Sequence, residues 1–278
     1  MTSLAENIEP HDLRLPDSVM RRFGIEVLDV DPVAGTAVMS MPIAGMANPF
    51  TGHGAVGALA ILIDVVSGLA NHVRRSRDEW TASSELSLEL SPEDALGALD
   101  HDKAPVIAEP RPLGSRGRSA LSVCTLTCGG EVIGSGTVRS YFISADRVVA
   151  ADPQETLART AQTALAELMA VRVAPSAEGT CVLRQLDDPM LRNDIGVMHG
   201  GVVAAALEMA ASAVINDKGA PLRTASVRVN FLRPFHARDN SRYVATALRV
   251  GRGAAVSDAQ AVGADGRVAV TARVTAYR

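Results

Sequence analysis

Internal repetition constrains this chain more than any other feature. Gly35-Thr36-Ala37-Val38 returns as Gly179-Thr180-Cys181-Val182. Twenty-eight residues beyond each Thr stands a lone carboxylate, Asp64 and Glu208, in a run of small and branched apolar residues. The offset is 144 at both ends (180 − 36 and 208 − 64). Thr81-Ala82-Ser83 and Thr224-Ala225-Ser226 each open an alternating segment; these end at Pro92 and Pro234, where the offset has drifted to 142. A period of this size marks a tandem domain and not a solenoid. The 278 residues therefore divide into an expected domain over 1–148 and a second over 149–278, with the border in the polar, Pro-containing stretch 145–153.

Each copy predicts the same elements. A short amphipathic helix (about 12–23 and 154–169) precedes a strand pair turning at Ala34-Gly35 and Glu178-Gly179. An irregular loop then leads into a long apolar helix (about 54–73 and 200–217), and three further strands complete the unit. Glu85 to Leu90 and Ser226 to Leu232 alternate apolar and polar residues, so one face of each is buried, which suits an antiparallel sheet. A helix apolar nearly all round must be buried. An α+β fold, one sheet curled around one helix and written twice, satisfies both demands.

Composition narrows the function. A formal charge of −4 gives no basic surplus for nucleic acid or an anionic membrane. The most apolar stretch, Gly54 to Ile63, is too short to span a bilayer, and residues 1–16 lack the apolar core of a secretory signal. Cys124, Cys128 and Cys181 form no metal-ligand set and are read as reduced core thiols in a cytoplasmic protein. No cofactor or metal is expected.

The chemistry concentrates on the second long helix. Asn193-Asp194-Ile195-Gly196-Val197-Met198-His199-Gly200-Gly201 leads into it, and Glu208 lies two turns further on. Two glycines at a helix start admit a ligand close to the backbone, and the free N–H groups there carry the positive end of the helix dipole. An oxyanion placed there is stabilised. Burial of Glu208 is expected to raise its pKa, which suits a base that takes a proton from water.

These residues carry a resemblance. Asn193, His199-Gly200-Gly201 and Glu208, with Thr224 to Pro234 downstream, resemble the signature of the PaaI-like acyl-CoA thioesterases. The resemblance implies the hotdog fold, here two tandem hotdogs packed as a pseudo-dimer within one chain. It implies hydrolysis of an acyl-CoA substrate. The N–H at Gly200 would polarise the thioester carbonyl, and Glu208 would activate water or attack directly. Asn193 and His199 would flank them, with Gly201 at the substrate and Ser212 positioning water. A strand residue of the facing hotdog, Ser83 or Ser84, would close the site. Two such chains are expected to pair as a homodimer.

The first copy departs from the pattern. An offset of 144 places Ala55, Val56 and Gly57 under His199, Gly200 and Gly201, so the acid Asp64 and one glycine survive. His53 and Asn48 lie nearby as substitutes, and Asn48 to His53 is faintly similar to an element of hotdog enoyl-CoA hydratases. A hydratase or dehydratase, and a non-catalytic acyl-CoA-binding protein, therefore stand as alternatives. Structural roles compete at each position. Glu208 and Asp64 can be satisfied buried acids, His199 a helix cap, Asn193 a loop brace, Ser212 a packing hydroxyl. Gly114 to Arg118 and Gly251 to Gly253 read as turns, with Arg116, Arg118 or Arg252 as candidate contacts to CoA phosphates.

Overall fold

The computed structural model describes residues 15–31, 33–91, 104–149, 151–160, 163–174, 180–216 and 221–278. The Glu178-Gly179 turn, Asp12, Pro92 and Asp217 lie outside them. In chain order the elements are α1 (Ser18–Phe23), β1 (Glu26–Asp31), β2 (Thr36–Met41), α2 (Val56–His72), β3 (Glu79–Leu90), β4 (Val106–Leu113), β5 (Ser119–Cys128) and β6 (Glu131–Ser144). Then follow α3 (Leu165–Leu168), β7 (Val171–Ala174), β8 (Thr180–Gln185), α4 (Gly200–Ile215), β9 (Arg223–Phe231), β10 (Arg242–Val250), β11 (Ala254–Val262) and β12 (Val268–Tyr277).

Among the described residues, twelve strands join one antiparallel sheet in the order β1-β2-β4-β5-β6-β3-β9-β12-β11-β10-β8-β7. Strands of the first half occupy one side and strands of the second half the other, and β3–β9 is the seam. Helices α2 and α4 are buried along nearly their whole length, as their all-round apolarity requires, and they pack on each other as well as on the sheet. This is a pair of hotdogs sharing a continuous sheet.

Two expectations need correction. Among the described residues each copy holds four strands after its long helix, not three. The extra strand β4 reads VIAEPRPL, and Pro110 and Pro112 hide it because proline normally argues against a strand. β4 pairs with β2 only over Val106 to Ala108, so the prolines lie where that side has no partner to lose. The helix expected over 154–169 is confined to Leu165–Leu168 among the described residues.

Helix α1 ties the halves together. Asp17 caps it, accepting from the Met20 N–H at 2.7 Å, and Gly24 in the left-handed conformation ends it. Arg22 is 2% exposed and pairs with Glu155 at 2.7 Å and Asp188 at 2.8 Å, both from the second half. A buried guanidinium of this kind is tolerable only because its donors are met; its Nη1 also donates to the Leu168 carbonyl.

The seam registers the two copies. Glu85 pairs with Asn230 and Glu89 with Ser226, which superposes β3 on β9 with an offset of 141 (226 − 85 and 230 − 89). Each strand bulges at the equivalent place, between Ser83 and Glu85 and between Thr224 and Ser226. The structural counterpart of Thr224 is thus Ser83 (224 − 83 = 141), not Thr81 as the Thr-Ala-Ser repeat implies.

Candidate active site

The two long helices meet at glycines. A Cβ on Gly201 would stand 2.7 Å from the Ile61 Cα, and one on Gly57 would stand 2.9 Å from the Ala205 carbonyl oxygen. Gly57 and Gly201 are equivalent positions (201 − 57 = 144), so each helix start nests against the other helix. Each acid then faces the opposite helix start. The Gly201 N–H donates to Asp64 Oδ2 at 2.6 Å, and the Gly57 N–H donates to Glu208. The strand hydroxyls complete the symmetry. Ser83 Oγ donates to Asp64 Oδ1 at 3.0 Å, and Thr224 Oγ1 donates to Glu208 Oε1 at 2.5 Å.

This pairing redistributes the expected site. Glu208 does not meet His199 or Gly200. Seven residues of helix separate it from Gly201, about 10 Å at 1.5 Å per residue, far beyond hydrogen-bond reach. The residue beside the His-Gly-Gly turn is Asp64, from the other half. The strand serine expected next to Glu208, Ser83, is likewise bonded to Asp64.

The two ends differ in room. Asp64, His199, Gly200, Asn193, Ser83 and Ser84 line one cavity of about 490 Å³. Glu208 lines a pocket of about 20 Å³ with Ser212, Thr224, His53, Asn48 and Arg223. The larger volume is in the range of small-molecule sites; the smaller holds about one water. Within it Arg223 Nη2 lies 3.1 Å from His53 Nδ1. Ser212 Oγ lies 3.4 Å from the Asn216 amide, and the Asn48 side chain accepts from the Phe50 N–H, bracing its own loop. Arg252 is exposed in the β10–β11 turn and lines neither cavity.

At the large cavity each loop residue has a definite part. Asn193 Oδ1 accepts from the Ile195 and Val197 N–H groups, both at 3.2 Å, and shapes the turn before α4. His199 is the N-cap of α4; its Nδ1 lies 3.2 Å from the Gly201 N and 3.3 Å from Asp64 Oδ2. Nδ1 accepts from Gly201 in one tautomer and donates to Asp64 in the other. Gly200 lines the cavity, and its N–H, first in the helix, has no acceptor among the described residues. A Cβ there would stand 2.8 Å from Asp64 Oδ2 and 3.1 Å from the Phe231 ring, so glycine is what lets acid and helix start approach. Ser84 Oγ turns to the Arg139 carbonyl at 3.2 Å.

Burial raises the Glu208 pKa to about 7, against the Thr224 hydroxyl and the Gly57 N–H, which lower it. The shift expected from the sequence is present, although in the smaller pocket. His72, lining the far end of the large cavity, is held down to about 3 by burial and then by Arg75, so its imidazole is neutral. Its Nδ1 lies 2.8 Å from Thr81 Oγ1, and its ring packs edge-on to Trp80 at 4.3 Å. Sequence reasoning missed His72 and Trp80, because their only signal is that they frame the C-terminal end of α2.

Among the described residues no group of three or more His, Cys, Asp or Glu could hold a metal, and no helix is long and apolar enough to cross a membrane. Residues 189–277 match the family model described as acyl-CoA thioesterase N-terminal domain. No curated relative matches the sequence. Several solved structures are similar over nearly the whole chain. A conserved hot dog fold protein of unknown function from Alicyclobacillus acidocaldarius has a TM-score of 0.61 at 16% identity, over 94% of this chain and 97% of that one. An acyl-CoA thioesterase II, TesB2, from Mycobacterium marinum has 0.56 at 13%, over 94% and 96%. The tesB protein of Mycobacterium avium subs. paratuberculosis has 0.59 at 12%, over 93% and 97%.

The fold is that of a tandem hotdog, and residues 189–277 resemble an acyl-CoA thioesterase domain. The match falls within the second copy, on the segment that holds Asn193, the His-Gly-Gly turn and Glu208.

Proposed function

We propose that the chain hydrolyses acyl-CoA thioesters at the large cavity, with Asp64 from the first half and the His199-Gly200-Gly201 turn from the second. The observation that carries this reading is the 2.6 Å bond from the Gly201 N–H to Asp64 in a cavity of about 490 Å³. The PaaI-like motif around that turn supports it.

The thioester carbonyl oxygen accepts from the Gly200 N–H, where the helix dipole favours the developing negative charge. A water beside Asp64 gives a proton to the carboxylate as its oxygen attacks the carbonyl carbon. The tetrahedral intermediate collapses with cleavage of the C–S bond, and the proton passes to the departing CoA sulfur. Free acid and CoA result. Ser83 holds the Asp64 carboxylate in position, and His199 fixes the turn. Glu208, with room for about one water, acts as a structural acid.

The test is thiol release from a panel of straight-chain and aryl acyl-CoAs, run on the wild type and on Asp64→Asn and Glu208→Gln. Turnover lost in Asp64→Asn and kept in Glu208→Gln is expected. The reverse pattern would move the chemistry to the Glu208 pocket, and silence from the whole panel would remove hydrolysis.

A second reading has its own support. The fold brings Asp64 within 3.3 Å of His199, an acid–imidazole pair of the kind that hydration of an enoyl-CoA requires. Loss of the conjugated absorbance of crotonyl-CoA without thiol release would favour it.

A further inference from the structure

The large cavity has two ends of different chemistry. One runs beneath the loop before α4 and is lined by Val197, Met198, Val203, Phe231 and Phe235. The charges at its rim, Arg192 and Arg233 against Asp17 and Asp194, balance. The other end runs along α2 past Gly68 and Leu69 to His72 and Trp80. Gly68 is open there: a Cβ added to it would meet nothing within 4 Å.

Beyond Trp80 two loops meet. The first, residues 74–79, carries Arg74, Arg75 and Arg77 with Asp78 and Glu79; the second, residues 114–118, carries Arg116 and Arg118. Five cations against two acids leave a local charge of +3 in a chain whose formal charge is −4. The loops are locked together. Arg74 Nη2 donates to the Gly114 carbonyl at 2.8 Å, and Arg116 pairs with Glu79 and stacks on Phe142 at 4.4 Å. Arg75 lies over the Trp80 ring at 5.5 Å. Arg77 and Arg118 are exposed.

One guanidinium is visibly incomplete. Arg74 Nη1 is buried and has no hydrogen-bond partner. Burial, and then the neighbouring Arg116 charge, lower the Arg74 pKa. An unmet buried donor beside a second guanidinium carries a desolvation and repulsion cost, and an anion between the two relieves both.

Given that the substrate is an acyl-CoA, as proposed above, we infer that this arginine rim binds the phosphates of the CoA moiety. The pantetheine arm then lies along α2 over Gly68, and the acyl group lies beneath the loop before α4. The lengths agree. From Asp64 to His72 is eight residues of helix, about 12 Å, and Arg74 lies just past the helix end. The thirteen bonds from the CoA sulfur to the first phosphorus reach about 14 Å, at the roughly 1.1 Å per bond of an extended chain. Phosphate esters carry strong acceptor oxygens and near-full negative charges, which match guanidinium forks. A Trp80 face already met by a cation lies on the path.

The experiment uses the full chain. Calorimetry gives the Kd of CoA, 3′-dephospho-CoA and pantetheine for the wild type, Arg116→Gln and the doubly exposed variant Arg77→Gln/Arg118→Gln. The expected result is CoA binding that weakens with salt and loses at least tenfold in Arg116→Gln and in the double variant. Pantetheine binding should be unchanged. Hydrolysis of octanoyl-CoA is then compared with that of S-octanoyl-N-acetylcysteamine, which has no phosphates. KM for the first should rise at least tenfold in the variants with kcat retained, and KM for the second should stay put.

Equal changes for both substrates, or CoA binding indifferent to all three arginines, would overturn the inference. Arg77 and Arg118 are exposed, so the double variant keeps the test alive if Arg116→Gln misfolds. Arginine-dependent CoA binding without turnover of either thioester would sink the hydrolysis reading and leave the phosphate rim standing.

Discussion

Asp64 and Gly201 stand 137 residues apart in sequence, and 2.6 Å separates the Asp64 carboxylate from the Gly201 N–H. One residue comes from the first copy and the other from the second. Their bond joins an acid on one central helix to the start of the other, so neither half alone contains the candidate site.

That composite site sets the first prediction. Asp64→Asn keeps an acceptor for the Gly201 N–H but removes the proposed base. Turnover of any accepted acyl-CoA should fall by at least about a hundredfold, the usual scale of general-base loss, with the thermal midpoint near that of the wild type. Glu208→Gln should leave turnover within a few fold. Steady-state kinetics with circular dichroism on both variants decides it, and an active Asp64→Asn enzyme would exclude this acid.

The bulge in β3 separates two adjacent serines. Ser83 donates to Asp64, whereas Ser84 donates to the Arg139 carbonyl. Ser83→Ala should lower kcat about tenfold, the order of one hydrogen bond to a charged group. Ser84→Ala should be nearly silent. Equal effects would mean that the hydroxyl does not position the acid.

Glycines in the two long helices should answer oppositely. Gly201→Ala drives a methyl to within 2.7 Å of the Ile61 Cα, and backbone cannot yield as a flexible side chain does. A loss of about 1–3 kcal/mol is expected in denaturant melts. Gly68→Ala meets open space within the same helix pair and should be neutral or stabilising by about 0.5–1 kcal/mol. A stabilised Gly201→Ala protein would show that the helices can spread.

Glu208 makes stability depend on pH. Its pKa is raised from 4.5 to about 7 on folding, mainly by burial. Between those values the folded state holds a proton that the unfolded chain has released, so stability falls as pH rises through this window and levels off above it. The loss is about 3 kcal/mol at 1.36 kcal/mol per unit. Urea melts from pH 4.5 to 8 should show this decline in the wild type and a shallower one in Glu208→Gln. Parallel curves would mean that Glu208 does not titrate in this range.

Much of the fold is legible in the sequence. The Thr36/Thr180 offset gave the duplication, the apolarity of about 54–73 and 200–217 gave two buried helices, and alternation gave antiparallel strands. β4 was hidden by Pro110 and Pro112, whose tolerance depends on where β2 stops pairing. The Thr-Ala-Ser repeat aligns Ser83 with Ser226, but its counterpart is Thr224, because strand pairing at the seam sets the register and local residue likeness does not.

The sequence by itself determined the inventory: two copies, two acids, one His-Gly-Gly turn and the small residues that let helices meet. Local periodicity and spacing act within one element, and they are enough for that. Which acid belongs to which turn was decided only by tertiary structure. An acid seven residues past Gly201 is about 10 Å along a rigid helix from it and must serve a different partner. Packing the two helices glycine to glycine exchanged the partners, giving Asp64 the turn and the open cavity and leaving Glu208 with Gly57 and Thr224.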